Sequence, residues 1–328
     1  MSEKIKWGII STGFIAGKFA EGLEYVEDAE LDAVASRTKE SADKFGEQYN
    51  VPKRYGSYEE LAEDPEVDVV YIGTPHSLHL DYSEMCLEAG KHVLCEKPMA
   101  INAGEATKMV NTARRNKRFL MEAMWTRYLP FFRKLEHLLD VGAIGELQMI
   151  HANFAQVADY DPQNRFFNLE LGGGSLLDLG IYPLALSSYF LGAPELIQSQ
   201  GVIGPTGVDE KLAASLKLPG DKMASFFTSL VTDAPIEALF MGSEGYIRIH
   251  APWFMSEKLT LAGKNRDEQV IEVPMQGNGY NYEAEEVNRC LKEGKLESDL
   301  MPLDESLELM EVMDYIRYQI GLYYPYEI

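Results

Sequence analysis

The chain has 328 residues, 46% of them hydrophobic and 25% charged, which is typical of a soluble globular protein of about two domains. Its formal net charge of −22 argues against nucleic acid or an anionic membrane as a partner, because both would repel it. Three cysteines without ligand-like spacing (Cys86, Cys95 and Cys290) argue against a disulfide framework and a metal cluster. No apolar run has the length of a signal peptide or membrane span, so we expect a cytoplasmic protein.

The chain opens with the strand, turn and helix order that a dinucleotide-binding fingerprint requires. The apolar run Ile5–Ile10 is followed by the turn Ser11-Thr12-Gly13-Phe14-Ile15-Ala16 and then by a helical pattern. Ser11 departs from the first glycine of the G-x-G-x-x-G form, whereas Gly13 keeps the position where the backbone approaches the pyrophosphate. The following helix would offer free amides and the positive end of its dipole to the phosphates.

The second predicted strand, residues 31–35, ends in Ser36, Arg37 and Thr38. An NAD-selective site carries Asp or Glu here to hold the ribose 2′-hydroxyl. A cation and two hydroxyls suit a 2′-phosphate instead, and a charge-assisted contact of this kind is worth roughly 1.5–3 kcal/mol. We therefore predict NADP rather than NAD, with a solvated arginine at a strand end as the alternative.

Strands and helices continue to alternate as far as residue 122, which predicts a doubly wound parallel sheet. Ser57 and Asn102 are placed to cap helices, and residues 67–72, 92–95 and 119–122 read as strands. The strand at 67–72 leads into Thr74, Pro75 and His76. His76 and His79 could border the cofactor or serve polar roles at a helix start, and the sequence leaves both open.

The strand at 92–95 ends in Glu96-Lys97-Pro98, at the edge where open parallel sheets bind their ligands. That rule puts Lys97 where the reactive ring of a cofactor could sit. Pro98 disfavours helical dihedrals at Lys97, so the amine would lie on a bent turn. If partial burial lowers its pKa, such a lysine can donate and accept a proton, whereas the alternative is a solvated loop lysine.

After residue 122 the pattern changes to strands that are mostly linked by hairpins, which predicts a broad, largely antiparallel sheet. The predicted strands are residues 147–155, 197–202, 212–218, 223–231, 236–241, 246–249, 258–261 and 270–273. One face can bury helices, and Phe226, Leu239 and Phe240 would allow the other to pair with a second subunit. We therefore expect a homodimer, with a cofactor domain at 1–122 and a substrate-binding domain at 123–328.

The second half contains Gly172-Gly173-Gly174, followed by a helical run with Asp178 and Tyr182 four residues apart. The glycines suit a backbone that lies close to something flat. A carboxylate and a phenol among Leu and Ile are costly unless they are paired or face a cleft. Tyr182 could exchange a proton with a substrate hydroxyl and Asp178 could orient the substrate or balance Lys97. The alternative is a buried Asp–Tyr hydrogen bond that supports a domain interface.

Together these segments resemble the Gfo/Idh/MocA-type NAD(P)-dependent oxidoreductases. The resemblance rests on the glycine turn at residues 11–16, Thr74-Pro75-His76, Glu96-Lys97-Pro98, and the triple glycine with Asp178 and Tyr182. Glu122-Ala123-Met124-Trp125-Thr126-Arg127 is similar to the dihydrodiol and D-xylose dehydrogenase branch. The resemblance implies an α/β architecture, with a Rossmann domain followed by an α/β domain whose open sheet pairs in a dimer.

The resemblance also implies roles for individual residues. Lys97 and Tyr182 would be the proton-transfer pair with Asp178 beside them. The Lys97–Pro98 bond would be cis, as it often is in this family. Trp125 and Arg127 would line the substrate pocket, although packing and interface salt-bridge roles stay open for them. The predicted cofactor site comprises Ser11, Thr12, Gly13, Phe14, Ile15, Ser36, Arg37, Thr38, Thr74, Pro75, His76, His79, Glu96 and Lys97.

The sequence thus predicts an NADP-dependent oxidoreductase that moves a hydride between nicotinamide and a hydroxyl-bearing carbon of a sugar or cyclic diol. The resemblance implies a small polyhydroxylated substrate without specifying which one. The alternative is a non-catalytic NADP-binding regulator or sensor, since such a protein need not keep Lys97, Asp178 and Tyr182 together. A metal-dependent hydrolase is disfavoured because the sequence offers no clustered His, Asp and Glu ligands.

Overall fold

A computed structural model of the chain describes residues 4–264 and 266–327. They form two compact units: residues up to Tyr128 with Gln276–Leu307, and Leu129–Met275 with the residues from Glu308 on. These limits differ from the predicted boundary at residue 122, because a segment near the C-terminus folds with the first unit. The assignment of one domain to the cofactor and the other to the substrate stays a prediction.

The first unit contains a six-stranded parallel sheet, which confirms the predicted doubly wound fold. Its strands are β1 (Ile5–Ile10), β2 (Ala29–Ala35), β3 (Lys53–Tyr55), β4 (Val69–Ile72), β5 (His92–Glu96) and β6 (Leu120–Ala123). The order across the sheet is β3-β2-β1-β4-β5-β6. The order reverses between β1 and β4, and such a switch point is where open α/β sheets bind their ligands.

Nine α-helices lie in the described part of the chain. They are α1 (Phe14–Leu23), α2 (Lys39–Gln48), α3 (Tyr58–Ala62), α4 (His79–Glu88), α5 (Ala103–Asn116), α6 (Pro130–Asp140), α7 (Ile181–Leu191), α8 (Tyr280–Lys292) and α9 (Leu303–Ile320). Two predicted caps are confirmed, since Ser57 Oγ accepts from Glu60 N at 3.3 Å and Asn102 Oδ1 accepts from Glu105 N at 2.8 Å. These side chains satisfy amides that the first turn of a helix leaves unpaired.

The second unit contains an eight-stranded, mostly antiparallel sheet, as predicted. Its strands are β7 (Leu147–Ala155), β8 (Leu196–Ile203), β9 (Asp209–Leu218), β10 (Lys222–Ser229), β11 (Ala238–Gly242), β12 (Gly245–Ile249), β13 (Lys258–Gly263) and β14 (Arg266–Glu272). Their order is β14-β13-β12-β11-β7-β10-β9-β8, with β7 and β10 parallel. Helix α7 packs on this sheet, where the rings of Phe190 and Phe240 meet edge to face at 5.1 Å.

Two of the residues used to predict pairing between subunits lie on the buried side of this sheet. Phe226 is 2% exposed and Phe240 is fully buried. The prediction failed for them because side chains alternate between the two faces, and their positions in β10 and β11 point into the core. Any pairing through this sheet must therefore use other residues than these two.

All three cysteines are free thiols in buried positions. Among the described residues, no helix is long and apolar enough to cross a membrane, and no group of His, Cys, Asp and Glu could hold a metal ion. The cytoplasmic location inferred from the sequence stays a prediction.

Candidate functional site

The fingerprint turn after β1 leaves the first amides of α1 without a side-chain cap. Helix α1 begins at Phe14, its N-cap residue is Gly13, and its first turn carries no acidic residue. Uncapped amides and the positive end of the helix dipole form an anion site. Ser11 has a φ of +124° and its Oγ accepts from Gly13 N at 3.1 Å. That conformation favours glycine, which explains why most fingerprints have Gly where this chain has Ser.

The end of β2 lies beside this turn, because Thr12 Oγ1 and Ser36 Oγ share a hydrogen bond of 3.2 Å. Arg37 is exposed, whereas Thr38 serves as the N-cap of α2 and accepts from Ser41 N at 3.3 Å. An exposed guanidinium next to the N-terminus of a helix forms a second place for an anion. The sequence did not predict that the Thr38 hydroxyl caps α2.

Other features of this edge also fit a dinucleotide. Phe14 is 81% exposed on the first turn of α1, and it borders a depression of about 330 Å³ that also includes Thr12, Gly13 and Tyr49. The Thr74 hydroxyl, after β4, is buried and has no hydrogen-bond partner among the described residues. A cradle of free amides and an unsatisfied buried hydroxyl are features that a bound cofactor would satisfy.

His79 connects the ends of β4 and β5. Its Nδ1 lies 2.9 Å from Pro98 O, and its Nε2 lies 3.0 Å from Thr74 O. Burial lowers the pKa of His79 to about 4, although the hydrogen bonds to the two carbonyl oxygens oppose the shift. These contacts support the helix-start role for His79, while cofactor contacts of His76 and His79 stay predictions.

Lys97 is half-buried on the turn after β5, and its bond to Pro98 is cis, as the resemblance implied. The preceding Glu96 is buried and accepts from Tyr71 Oη at 2.5 Å and from Lys97 N at 3.2 Å. Its carboxylate is therefore held by a side chain of β4 and by the backbone of the turn. This arrangement places Lys97 at the carboxyl edge of the parallel sheet, as predicted.

A second buried acid, Glu283 of α8, interacts electrostatically with Glu96. Neither of its carboxyl oxygens has a hydrogen-bond partner among the described residues. Burial and the neighbouring Glu96 raise the pKa of Glu283 well above its usual range. Two neighbouring buried acids are costly to ionise together, so the folded state favours the protonated form of Glu283.

Trp125 and Arg127 are both buried in the first unit. The ring of Trp125 stacks on Tyr280 with centroids 4.6 Å apart. Arg127 is 1% exposed and forms a bidentate ion pair with Glu305 at 2.6 and 2.8 Å, together with a hydrogen bond to Leu300 O at 2.9 Å. These contacts support the packing and salt-bridge roles that the sequence left open, and the substrate roles stay predictions.

In the second unit, the triple glycine lies against the chain itself. A Cβ on Gly173 would lie 2.7–2.8 Å from the carbonyl oxygens of Arg165, Phe166 and Asn168. Gly174 has a φ of +123°, and a Cβ there would lie 2.1 Å from Asp209 Oδ1. The glycines thus lie close to a loop of this unit and to a buried carboxyl, and the flat group inferred from the sequence stays a prediction.

A π-helical turn, Leu176–Gly180, follows this loop and leads into α7. Hydrogen bonds that span five residues change the α-helical spacing predicted between Asp178 and Tyr182. The buried Asp178 carboxylate accepts from Arg165, whose Nη atoms lie 2.8 and 3.4 Å from its two oxygens. Arg165 was not predicted as a site residue, because it lies in an irregular polar stretch before the glycines.

Tyr182 lies in an aromatic cluster and is 7% exposed. Its ring centroid is 5.4 Å from that of Phe154 and 5.9 Å from that of Phe254, and these two rings stack at 4.5 Å. Phe154 lies near the end of β7 and Phe254 in a short 3₁₀ turn. Neither phenylalanine was predicted as a site residue, although Phe154 continues the apolar alternation of Ile150 and Ala152 on the buried face of β7.

Both halves of the chain match known protein families. Residues 5–124 match an oxidoreductase family with an NAD-binding Rossmann fold, the Gfo/Idh/MocA family. Residues 132–248 match the C-terminal domain of the same family.

Similar proteins span nearly the whole chain. Trans-1,2-dihydrobenzene-1,2-diol dehydrogenase of Mus musculus is 40% identical over 333 residues, covering 98% of each chain. The protein of the same name from Xenopus tropicalis is 38% identical over 329 residues, covering 98% of this chain and 99% of its own. Among solved structures, an aldose-aldose oxidoreductase from Caulobacter crescentus, complexed with glycerol, superposes with a TM-score of 0.87 at 24% identity, covering 97% of this chain and 98% of its own. This last likeness concerns the fold.

Proposed function

The chain belongs to the Gfo/Idh/MocA oxidoreductase family, and on this premise we propose that it is an NADP-dependent oxidoreductase acting on a sugar or a cyclic diol. The observation that carries the substrate class is the near full-length similarity to trans-1,2-dihydrobenzene-1,2-diol dehydrogenases. A bound nicotinamide would supply the hydride chemistry at a hydroxyl-bearing carbon. The protein supplies position and a path for the proton.

The preference for NADP is assigned to Arg37. Arg37 is exposed and lies between the end of β2 and the N-cap of α2, which suits a 2′-phosphate. Replacing Arg37 with alanine should lower the ratio of NADP to NAD efficiency by about ten- to a hundredfold. The matched control is Lys39→Ala, because Lys39 is also an exposed cation but is paired with Asp43. An unchanged ratio in Arg37→Ala would refute the assignment.

The proton path is assigned to Lys97 and Tyr182. As the substrate carbonyl forms, this pair would take up the hydroxyl proton, and in the reverse direction it would return it. Asp178, held by Arg165, would orient the substrate or balance the charge of Lys97. The position of Lys97 directly after β5 supports this role, because open α/β sheets bind their ligands at the carboxyl ends of their strands.

Replacing Lys97 with methionine tests the proton path. Turnover should fall by about 10²- to 10⁴-fold, the usual contribution of a general acid or base, while the dissociation constant for NADP stays nearly the same. Lys108→Met, at an exposed lysine of α5, is the control and should keep full activity. Full turnover in Lys97→Met would remove the lysine from the reaction.

The substrate class is tested by following nicotinamide fluorescence against aldoses, polyols and trans-dihydrodiols. We expect turnover with at least one of these classes. Tight NADP binding without turnover of any compound would contradict the oxidoreductase proposal and favour the regulator or sensor.

Pairing of subunits is assigned to the outer face of the eight-stranded sheet. The strand register aligns four residues in a row across β10, β7, β11 and β12: Met223, Met149, Met241 and Tyr246. Met149, Met223 and Tyr246 are 39%, 42% and 38% exposed. A contiguous apolar row on an open sheet is typical of an interface between subunits, which supports a homodimer.

Because both subunits contribute the same face to a two-fold interface, a charge introduced in this row would be present on both sides of the interface. Met149→Glu should therefore convert the dimer to a monomer in analytical ultracentrifugation. Val141→Glu is the control, because Val141 is 61% exposed and lies just after α6, outside the row. A wild-type monomer, or a Met149→Glu variant that stays dimeric, would contradict this assignment.

A further inference from the structure

The turn from Glu96 to Met99 is held by buried side chains from three neighbouring elements. Tyr71 of β4 donates to Glu96, and His79 of α4 contacts Pro98 O. The third contact comes from Glu122 of β6, whose Oε1 accepts from Met99 N at 2.9 Å. The polar groups of the turn are thus bound by side chains, in a region where a loop would otherwise be free to move.

Glu122 is an unusual residue for its position. In the strand register it lies opposite Cys95 of β5, and it is fully buried. An apolar side chain would need no hydrogen-bond partner in such a position, whereas burying a carboxyl costs free energy because the group loses its hydrogen bonds to water. Its second oxygen, Oε2, has no hydrogen-bond partner among the described residues. The Met99 amide and the nearby Ser306 hydroxyl of α9 together offset part of the cost of burying the acid.

The electrostatic surroundings of Glu122 agree with this cost. Burial raises the pKa of Glu122 to about 7, although the Ser306 hydroxyl, the Met99 amide and the Arg127 guanidinium oppose the shift, and Glu305 adds to it. Arg127 is held in turn by its bidentate contact with Glu305. The segment from Glu122 to Arg127 thus connects a buried ion pair to the turn that carries Lys97. Within this segment, the sequence had suggested roles only for Trp125 and Arg127.

We propose that Glu122 is a positioning residue for the reaction, because it fixes the Met99 amide and thereby the turn that presents Lys97. This inference rests on the proposed function, in which Lys97 handles a proton. Glu122 itself touches neither substrate nor cofactor in this scheme. Its loss should therefore reduce turnover without weakening the binding of the dinucleotide at the fingerprint turn and Arg37.

Two variants of Glu122 separate its hydrogen bond from its charge. Glu122→Gln keeps an acceptor oxygen for Met99 N, whereas Glu122→Leu removes it. In Glu122→Leu, kcat should fall by about 10- to 100-fold, the effect expected when a catalytic group is displaced by an ångström. The KM for the substrate and the dissociation constant for NADP should change little, and Glu122→Gln should keep most of the wild-type kcat.

A control separates positioning from stability. Asp32 of β2 is also a buried carboxylate of the parallel sheet, but it pairs with Lys53 at 2.9 Å and does not touch the turn. Asp32→Leu should destabilise the protein and leave kcat unchanged. Hydrogen exchange of the Met99 amide provides a readout that does not depend on turnover, and exchange should be faster in Glu122→Leu than in the wild type or Glu122→Gln.

The proposal is overturned if Glu122→Leu keeps the wild-type kcat, if Glu122→Gln loses as much as Glu122→Leu, or if Met99 exchanges equally in all three proteins. Should Glu122→Leu fail to fold, Glu122→Asp shortens the side chain by one methylene and should show the same losses. If the wild type turns over no substrate, the proposed function fails, and Met99 exchange in the NADP-bound protein still decides whether Glu122 holds the turn.

Discussion

Replacing Arg127 with methionine should lower the free energy of unfolding by about 3 kcal/mol and leave the KM for the substrate unchanged. Arg127 makes three charge-assisted hydrogen bonds, at 2.6 and 2.8 Å to Glu305 and at 2.9 Å to Leu300 O. Removing one partner of a buried ion pair costs about 3–5 kcal/mol. We take the lower end because the Glu305 side chain is 21% exposed, so water can reach it after the substitution.

The assay is urea denaturation of Arg127→Met, Glu305→Met and the double variant, combined with steady-state kinetics. Methionine keeps the packing of the apolar stem, so the comparison isolates the charged head. The double variant should be less destabilised than the sum of the single variants, because it leaves no unpaired charge in the interior. Wild-type stability together with a raised KM in Arg127→Met would refute this reasoning and return the residue to the substrate pocket.

Two further predictions concern buried groups. Glu283 keeps its proton in the folded protein at pH values where the unfolded chain releases it, so stability should fall as pH rises from about 4.5 through its raised pKa. Glu283→Gln should remove this loss and be more stable than the wild type at pH 8, and parallel pH curves for the two proteins would contradict the prediction. Tyr324 Oη donates to Gly173 O at 2.7 Å in a buried contact, so Tyr324→Phe should lower the free energy of unfolding by about 1 kcal/mol. Tyr323→Phe, at a side chain that is 53% exposed, should change nothing in the same denaturation assay, and equal effects would show that the buried hydrogen bond contributes no stability.

The fold was predictable where one face or both faces of a strand are buried over several residues. The bounds of β1 agree with the prediction, as do those of β7, because the apolar pattern of each ends at a turn. The short strand β3 was missed, since its sequence Lys-Arg-Tyr lies at the edge of the sheet and has no apolar pattern. Phe226 and Phe240 were assigned to the wrong face of their sheet, because the apolar character of a residue in a strand does not reveal which face it occupies.

The candidate site was predictable only in part, for a different reason. Lys97 could be placed because the end of a parallel strand defines the ligand edge of the sheet. The contacts that Tyr71, His79 and Glu122 make with the turn around Lys97 join residues distant in sequence, and no local pattern predicts such pairs. The partner of Asp178 was missed for another reason, since Arg165 reaches it from an irregular loop whose conformation has no sequence periodicity.

The central claim is that Lys97 and Tyr182 act together on one substrate hydroxyl beside the nicotinamide. A crystal structure of the protein with NADP and an unreactive sugar or diol analogue tests this most directly. The account predicts that Lys97 Nζ and Tyr182 Oη both lie within hydrogen-bond reach of the same hydroxyl, on one face of the nicotinamide ring. A complex in which either side chain points away from that hydroxyl, into a separate region of the protein, would contradict it.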